Sequence, residues 1–335
     1  MIKMKIGNIF ESQMDVLVNT VNCVGVMGKG IAKTFKTNYP KMFDEYKSLC
    51  DKKLVTTGKL YPYLENEKVK VINFPTKQHW RSPSKLEYVI SGLDWFVGNY
   101  KDLGIESIAF PPLGCGNGGL DWDVVGPIMY QKLYDLPIDI EVYAPFGIEK
   151  DKLSTKFLMQ KSENKNTVGV IYDKINDNWL LILRLVKCLE ESEYSVKVGR
   201  TIFQKICYVL TRFGTDTGLN FVKGTYGPYS SDIKNMITVL SNNNLIYEKE
   251  FGKMMLICVS DSFKINPAIY SEKDKMYVNK TYDLFKRIKD TNHAELITTI
   301  LFSFDQLATE NTVVTENLLF DYIIDWKKKI SYKRI

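Results

Sequence analysis

Four short segments within the first 122 residues concentrate the side chains that hold or break polar molecules. The run Val16-Leu17-Val18-Asn19-Thr20-Val21-Asn22 is an apolar strand that passes directly into amides. An asparagine carries both donor and acceptor, so Asn22 suits the hydroxyls of a sugar, and Asn19 suits the tying of neighbouring loops; a plain turn is the competing reading. Gly25-Val26-Met27-Gly28-Lys29-Gly30-Ile31-Ala32 places glycines just ahead of a helix, where the backbone approaches a ligand closely and aims its amides at an anion, with phosphate the natural guest. The spacing is neither that of a Walker A loop nor that of a G-x-G-x-x-G fingerprint. A second glycine loop, Pro111-Pro112-Leu113-Gly114-Cys115-Gly116-Asn117-Gly118-Gly119-Leu120-Asp121-Trp122, also opens a helix, and two such loops can clamp two phosphates. Glycine density of this kind carries an entropic penalty that a merely connecting loop seldom needs. The fourth segment, Asn73-Phe74-Pro75-Thr76-Lys77-Gln78-His79-Trp80-Arg81, reads as a polar loop after a strand ending at Asn73. It supplies two titratable groups, Lys77 and His79, suited to acid-base or nucleophilic work if burial tunes them and to solvated surface if not.

Composition narrows the chemistry. There are two histidines in the chain, His79 and His293, which excludes a His-rich metal centre, and the six cysteines form no C-x-x-C pair. Neither a metal nor a cofactor is expected. No apolar run is long enough for a membrane span, and the start MIKMKIGNIF lacks the apolar core of a signal peptide, so a cytoplasmic protein without membrane partners is expected. Residues 1–150 carry 18 Lys+Arg against 17 Asp+Glu, net +1, whereas the remainder carries 27 against 22, net +5. Such a balance suits either attraction of an acidic partner or an ordinary soluble surface.

These segments need elements to hold them. At 335 residues the chain exceeds what one core usually organises, and two domains are expected, 1–155 and 168–335, with the polar run 160–167 between them. Short apolar runs at 2–6, 15–19, 59–64, 69–74, 106–110 and 138–144 alternate with amphipathic stretches, which predicts an α/β sandwich with a parallel or mixed central sheet and ligands gathered beyond the strands' carboxyl ends. Leu86, Val89, Ile90, Leu93, Phe96, Val97 and Tyr100 predict a helix over 83–100, with Ser82 and Pro83 at its start. Beyond the linker, helices at 199–213 and 229–241 followed by LIYEKE, a Gly252 turn and MMLICVS predict a winged-helix-like element. Helices at 272–289, 293–309 and 315–329 complete a mainly α domain.

Taken together, VLVNTVNCVGVMGKGIAKTF, NFPTKQHWRSPSKLE and AFPPLGCGNGGLDW resemble the macrodomain family, and within it the DNA ADP-ribosyl glycohydrolases of the DarG antitoxin type, over about residues 1–147. The resemblance implies a three-layer α/β/α sandwich with a mixed sheet. It implies that ADP-ribose is held by Asn8, Ile9, Asn19, Val26, Gly28, Lys29, Gly30, Gly114, Cys115, Gly116, Asn117, Gly118 and Gly119, with Lys77 and Asn22 catalytic and Asn22 beside the distal ribose. Many macrodomains have Asp where this chain has Asn8, which still offers adenine a hydrogen bond. The implied substrate is ADP-ribose joined to thymidine in single-stranded DNA. The implied partner is a DarT-like transferase toxin, and the implied product is ADP-ribose. GRTIFQKICYVLTRFG and KGTYGPYSSDIKNMITVLSNNNLI are similar to SocA-like antitoxin domains, which implies direct toxin neutralisation by the second domain. A non-catalytic ADP-ribose reader, or a DNA-binding regulator working through the winged helix, are the alternatives.

Overall fold

The computed structural model describes all residues except 161–174, 194, 253, 262, 264–269, 310–312 and 333–335. It divides into two compact units, Met1–Ile171 and Tyr172–Ile335. Of the linker expected at 160–167, residues 161–167 lie outside the described ones.

The first unit is built on six strands, β1 (Ile2–Lys5), β2 (Val16–Asn22), β3 (Tyr61–Glu65), β4 (Lys68–Lys77), β5 (Ser107–Phe110) and β6 (Asp139–Tyr143), in the order β1-β6-β5-β2-β4-β3. All neighbours pair in parallel except β3, which runs antiparallel to β4 at one edge. Strands buried on both faces need apolar residues at every position, and β2 alternates its load accordingly. Val16 and Val18 join the core under α3 (Leu86–Asn99) and α4 (Trp122–Leu133), while Leu17 and Val21 join the core under α1 (Gly30–Asn38) and α2 (Pro40–Asp51). The outcome is the expected three-layer sandwich, with a short α5 (Thr155–Leu158) tied to α4 through Gln131 Nε2, which donates to the Leu158 carbonyl at 3.0 Å.

Two boundaries differ from expectation in a way that matters. Both β2 and β4 run further, through Asn22 and Lys77, so these residues stand on strands and not in turns. The helix expected from Ser82 and Pro83 begins at Leu86, behind Lys85, which makes no side-chain cap. The reason is local competition: residues 79–82 form a turn, Ser82 N–H to His79 O at 3.0 Å, and the Ser84 N–H is committed to Gly118 O at 2.9 Å.

The second unit contains α6 (Asp177–Glu191), α7 (Arg200–Phe213), the ribbon β7 (Val222–Gly224) and β8 (Gly227–Tyr229), and α8 (Ile233–Asn242). The hairpin β9 (Ile246–Phe251) and β10 (Met254–Val259) follows, then α9 (Glu272–Lys286), α10 (Thr291–Thr309) and α11 (Glu316–Tyr332). The expected sequence of two helices and a hairpin is present in α7, α8 and β9–β10, although α8 starts four residues later than the pattern suggested because Tyr229 is taken by its pairing with Val222. At its centre the Lys205 side chain of α7 is 1% exposed, and its Nζ donates to the Pro228 carbonyl at 2.9 Å beneath the left-handed Gly227. Burial pushes this amine down to about 8, with Glu295 opposing the shift and Lys327 adding to it.

The unfolded chain keeps that proton up to its ordinary 10.5, the folded one only to about 8. Stability therefore rises with pH through this window, and the full cost of the buried charge is present below it. Urea unfolding of the wild type and Lys205→Met at pH 7.5 and 10 should show the wild type gaining about 1–3 kcal/mol relative to the variant. A difference independent of pH would mean that the amine is already solvated.

Candidate functional site

The three loops that follow the adjacent strands β5, β2 and β4 emerge side by side at one end of the sheet. β2 and β4 pair from Leu17↔Val71 to Val21↔Pro75, and then the register slips by one so that Asn22 faces Lys77. The extra residue is Thr76, which is buried. A bulge of this kind re-aims the residue that follows it, and here it sets the two side chains expected to do chemistry opposite one another.

Asn22 is nearly buried and works hard for the loop beyond it. Its Oδ1 accepts from the Val24 and Val26 N–H groups, both at 3.2 Å, and its Nδ2 donates to the Val26 carbonyl at 2.6 Å. Gly25, at φ +72°, lets that loop lie against Lys47 and Cys50. Val26 stays exposed, Gly28 has open space where a side chain would be, and Lys29 leads into Gly30 at φ +59°. Helix α1 starts there with no side-chain cap and no acid in its first turn, which leaves amide donors and the positive end of its dipole for an anion. Asn19 has no exposed surface: its Nδ2 donates to Asn73 Oδ1 at 3.0 Å and reaches the Met27 sulfur at 3.8 Å. As the tying role expected of it requires, it joins β2 to β4 and supports the loop from below. Its partner Asn73 was not singled out as a tie, although both asparagines end apolar runs, which is the signal that could have paired them.

The loop after β5 meets the other two at Asn117. Lys77 Nζ donates to the Asn117 carbonyl at 2.7 Å, and a side chain added at Gly30 would lie 3.0 Å from Asn117 Nδ2. Gly116 is exposed and open. Gly114 and Gly119 adopt φ +73° and +82°. Gly118, expected on the ligand-facing wall, is buried: a Cβ there would sit 2.1 Å from the Gly114 carbonyl and 2.3 Å from Ser84 Oγ. Cys115 is raised to about 12 by burial and then by Asp121, and Cys23 to about 12 by burial and then by Cys50, so neither thiol is a ready nucleophile. His79 accepts the Arg81 N–H on Nδ1 at 3.2 Å, which fixes it as a turn organiser. Asn8 and Ile9 sit apart from these loops in sequence, after β1, where Asn8 Oδ1 caps the Phe10 N–H at 3.2 Å and Ile9 is buried.

Residues 18–129 match the Macro domain family model. A DNA ADP-ribosyl glycohydrolase of Mycobacterium tuberculosis is 37% identical over 238 residues, which are 69% of this chain and 64% of that relative. The chain carries a macrodomain of the DarG type. Its sequence is also 40% identical, over 173 residues, to a DNA ADP-ribosyl transferase–DNA ADP-ribosyl glycohydrolase fusion protein of Thermosipho africanus, covering 46% of this chain and 45% of the fusion. The solved macrodomain of Mycobacterium tuberculosis DarG aligns with 43% of this chain and 98% of its own at 46% identity, with a TM-score of 0.42. The match to the first of these relatives thus spans 64% of its length. Among the described residues, no helix of this macrodomain protein is long and apolar enough to cross a membrane.

The crowding at Gly118 and the open space at Gly116 separate two roles within one loop. Gly118→Ala should destabilise the first unit by roughly 1–3 kcal/mol in urea unfolding, because backbone must move, whereas Gly116→Ala should stay within about 0.5 kcal/mol. Equal effects would mean that the loop adapts as a whole.

Proposed function

We propose that this chain hydrolyses the N-glycosidic bond joining ADP-ribose to thymidine in single-stranded DNA, and so reverses the action of a DarT-like transferase toxin. The observation that carries the reading is Lys77, set opposite Asn22 by the β2–β4 slip and held against Asn117 between the two glycine loops. The diphosphate lies between the 28–30 and 114–119 loops, where α1 offers uncapped amides and Gly28 and Gly116 leave room. Asn22 lies beside the distal ribose, and its remaining Nδ2 hydrogen is the group it has to offer. In the reaction the bond from the anomeric carbon to the base nitrogen breaks, water adds to that carbon, and the base leaves with its proton restored. A lysine nitrogen already donating to a carbonyl fits a role as acid or as fixed positive charge near the departing base.

The second unit takes the part of a toxin-binding domain in this reading. A regulator working through α8 is disfavoured, because Met236 to Ser241 are all buried and Lys234 is the one cation of that helix.

Lys77→Ala should slow release of ADP-ribose from a modified single-stranded oligonucleotide by roughly 10²–10⁴-fold while calorimetry still registers ADP-ribose binding. Unchanged release would remove Lys77 from the chemistry, and binding without release in the wild type would make the protein a reader. A fragment of about 168–335 should bind the cognate transferase and blunt its modification of DNA without hydrolysing anything. Full transferase activity at saturating fragment, with no complex on gel filtration, would sink that half of the proposal.

A further inference from the structure

One part of the Asn73–Arg81 segment is left over once Lys77 and His79 have been placed. Of the five tryptophans, Trp80 alone is exposed, at 45%, although an indole is among the most rewarding side chains to bury. It is held there deliberately. The Ser82 N–H donates to His79 O at 3.0 Å and the Arg81 N–H to His79 Nδ1 at 3.2 Å, so Trp80 and Arg81 occupy the two corners of a closed turn. The His79 ring lies 5.5 Å from the indole at an interplanar angle of 33°, and the Arg81 guanidinium stands 4.6 Å from its centre. Residues 77–85 carry Lys77, Arg81 and Lys85 and no acid.

An exposed ring beside a guanidinium, on an acid-free cationic turn, is the combination that single-stranded nucleic acid binds: bases stack on the ring and the cations follow the phosphates. Trp80 lies three positions after Lys77, a chain reach of at most about 10 Å. That span keeps the ring within reach of a nucleotide adjoining a base seated at Lys77. We propose that the turn His79–Ser82 is a stacking platform, with Trp80 as its face, for the nucleobase next to the modified one. The proposal rests on the glycohydrolase reading for its substrate and adds the feature that favours a strand over a lone nucleoside. Trp80 is a positioning residue here and touches no reacting atom.

The test compares kcat/KM on an ADP-ribosylated single-stranded oligonucleotide with that on ADP-ribosylated thymidine alone, for wild type, Trp80→Ala and Trp80→Phe. The ratio of the two values should fall about tenfold in Trp80→Ala, through KM, and recover in large part in Trp80→Phe, because any aromatic face stacks. An unchanged ratio, or equal losses on both substrates, overturns the platform. Fluorescence anisotropy with an unmodified oligothymidylate keeps the question open to decision if the wild type hydrolyses neither substrate, which would count against the glycohydrolase reading instead. Trp80→Ala should then still bind the strand about tenfold more weakly, and equal binding overturns the proposal.

Discussion

The parallel pairing of β2 with β4, and its slip by one residue at Val21/Asn22, is the constraint on which the rest of the site depends. Without the slip, Asn22 would face Thr76, and alternation along β4 would send Lys77 to the opposite side of the sheet. With Thr76 absorbed as the extra, buried residue, Lys77 stands opposite Asn22 at the sheet's end. The pairing is locked a turn below by the buried Asn19–Asn73 hydrogen bond. Buried amides need partners, so a strand register that separated these two would strip Asn19 Nδ2 and Asn73 Oδ1 of their shared bond, at a cost of about 1–3 kcal/mol each. Specificity of register is thus enforced by polarity inside a largely apolar sheet.

From that fixed floor the loops are shaped by their own hydrogen bonds together with close packing at their glycines. Asn22 folds the 24–26 backbone around its amide, the Ser84 N–H anchors the third loop through Gly118 O, and Lys77 reaches across to Asn117 O. The Asn22 bonds fold the loop of its own strand and the other two ties join loops from different strands, so a ligand meets a surface whose geometry is settled before it arrives. Preorganised donors need no reordering at the moment of binding or reaction, which is where most of their value lies.

Much of this was legible in the sequence. Alternating apolar runs gave six strands near their observed places, and the spacing from Leu86 to Tyr100 gave α3. The strand ends were not legible, because Asn22, Thr76 and Lys77 look like turn residues when their burial is unknown; only the pairing of β2 with β4 makes them strand. Helix α6 was not among the expected elements, although Arg184, Lys187 and Glu191 recur at helical spacing opposite its buried Leu181, Leu185 and Leu189. Lys205 carried no signal at all, since its role depends on Gly227 and on the carbonyl of Pro228, more than twenty residues away.

The glycines of the 114–119 loop show where reasoning from composition stops. Their density argues that something approaches the backbone closely, and that much holds. What approaches differs from glycine to glycine. Gly114 and Gly119 serve left-handed backbone, and Gly118 makes room for the Gly114 carbonyl and for Ser84, so for these three the close neighbour or the need is the protein itself. Gly116 has nothing within 4 Å of where its side chain would be. A loop that bends this tightly around its own carbonyl can present one glycine outward because the others let it turn, and the space left for a ligand is therefore a by-product of the self-packing that the remaining glycines permit.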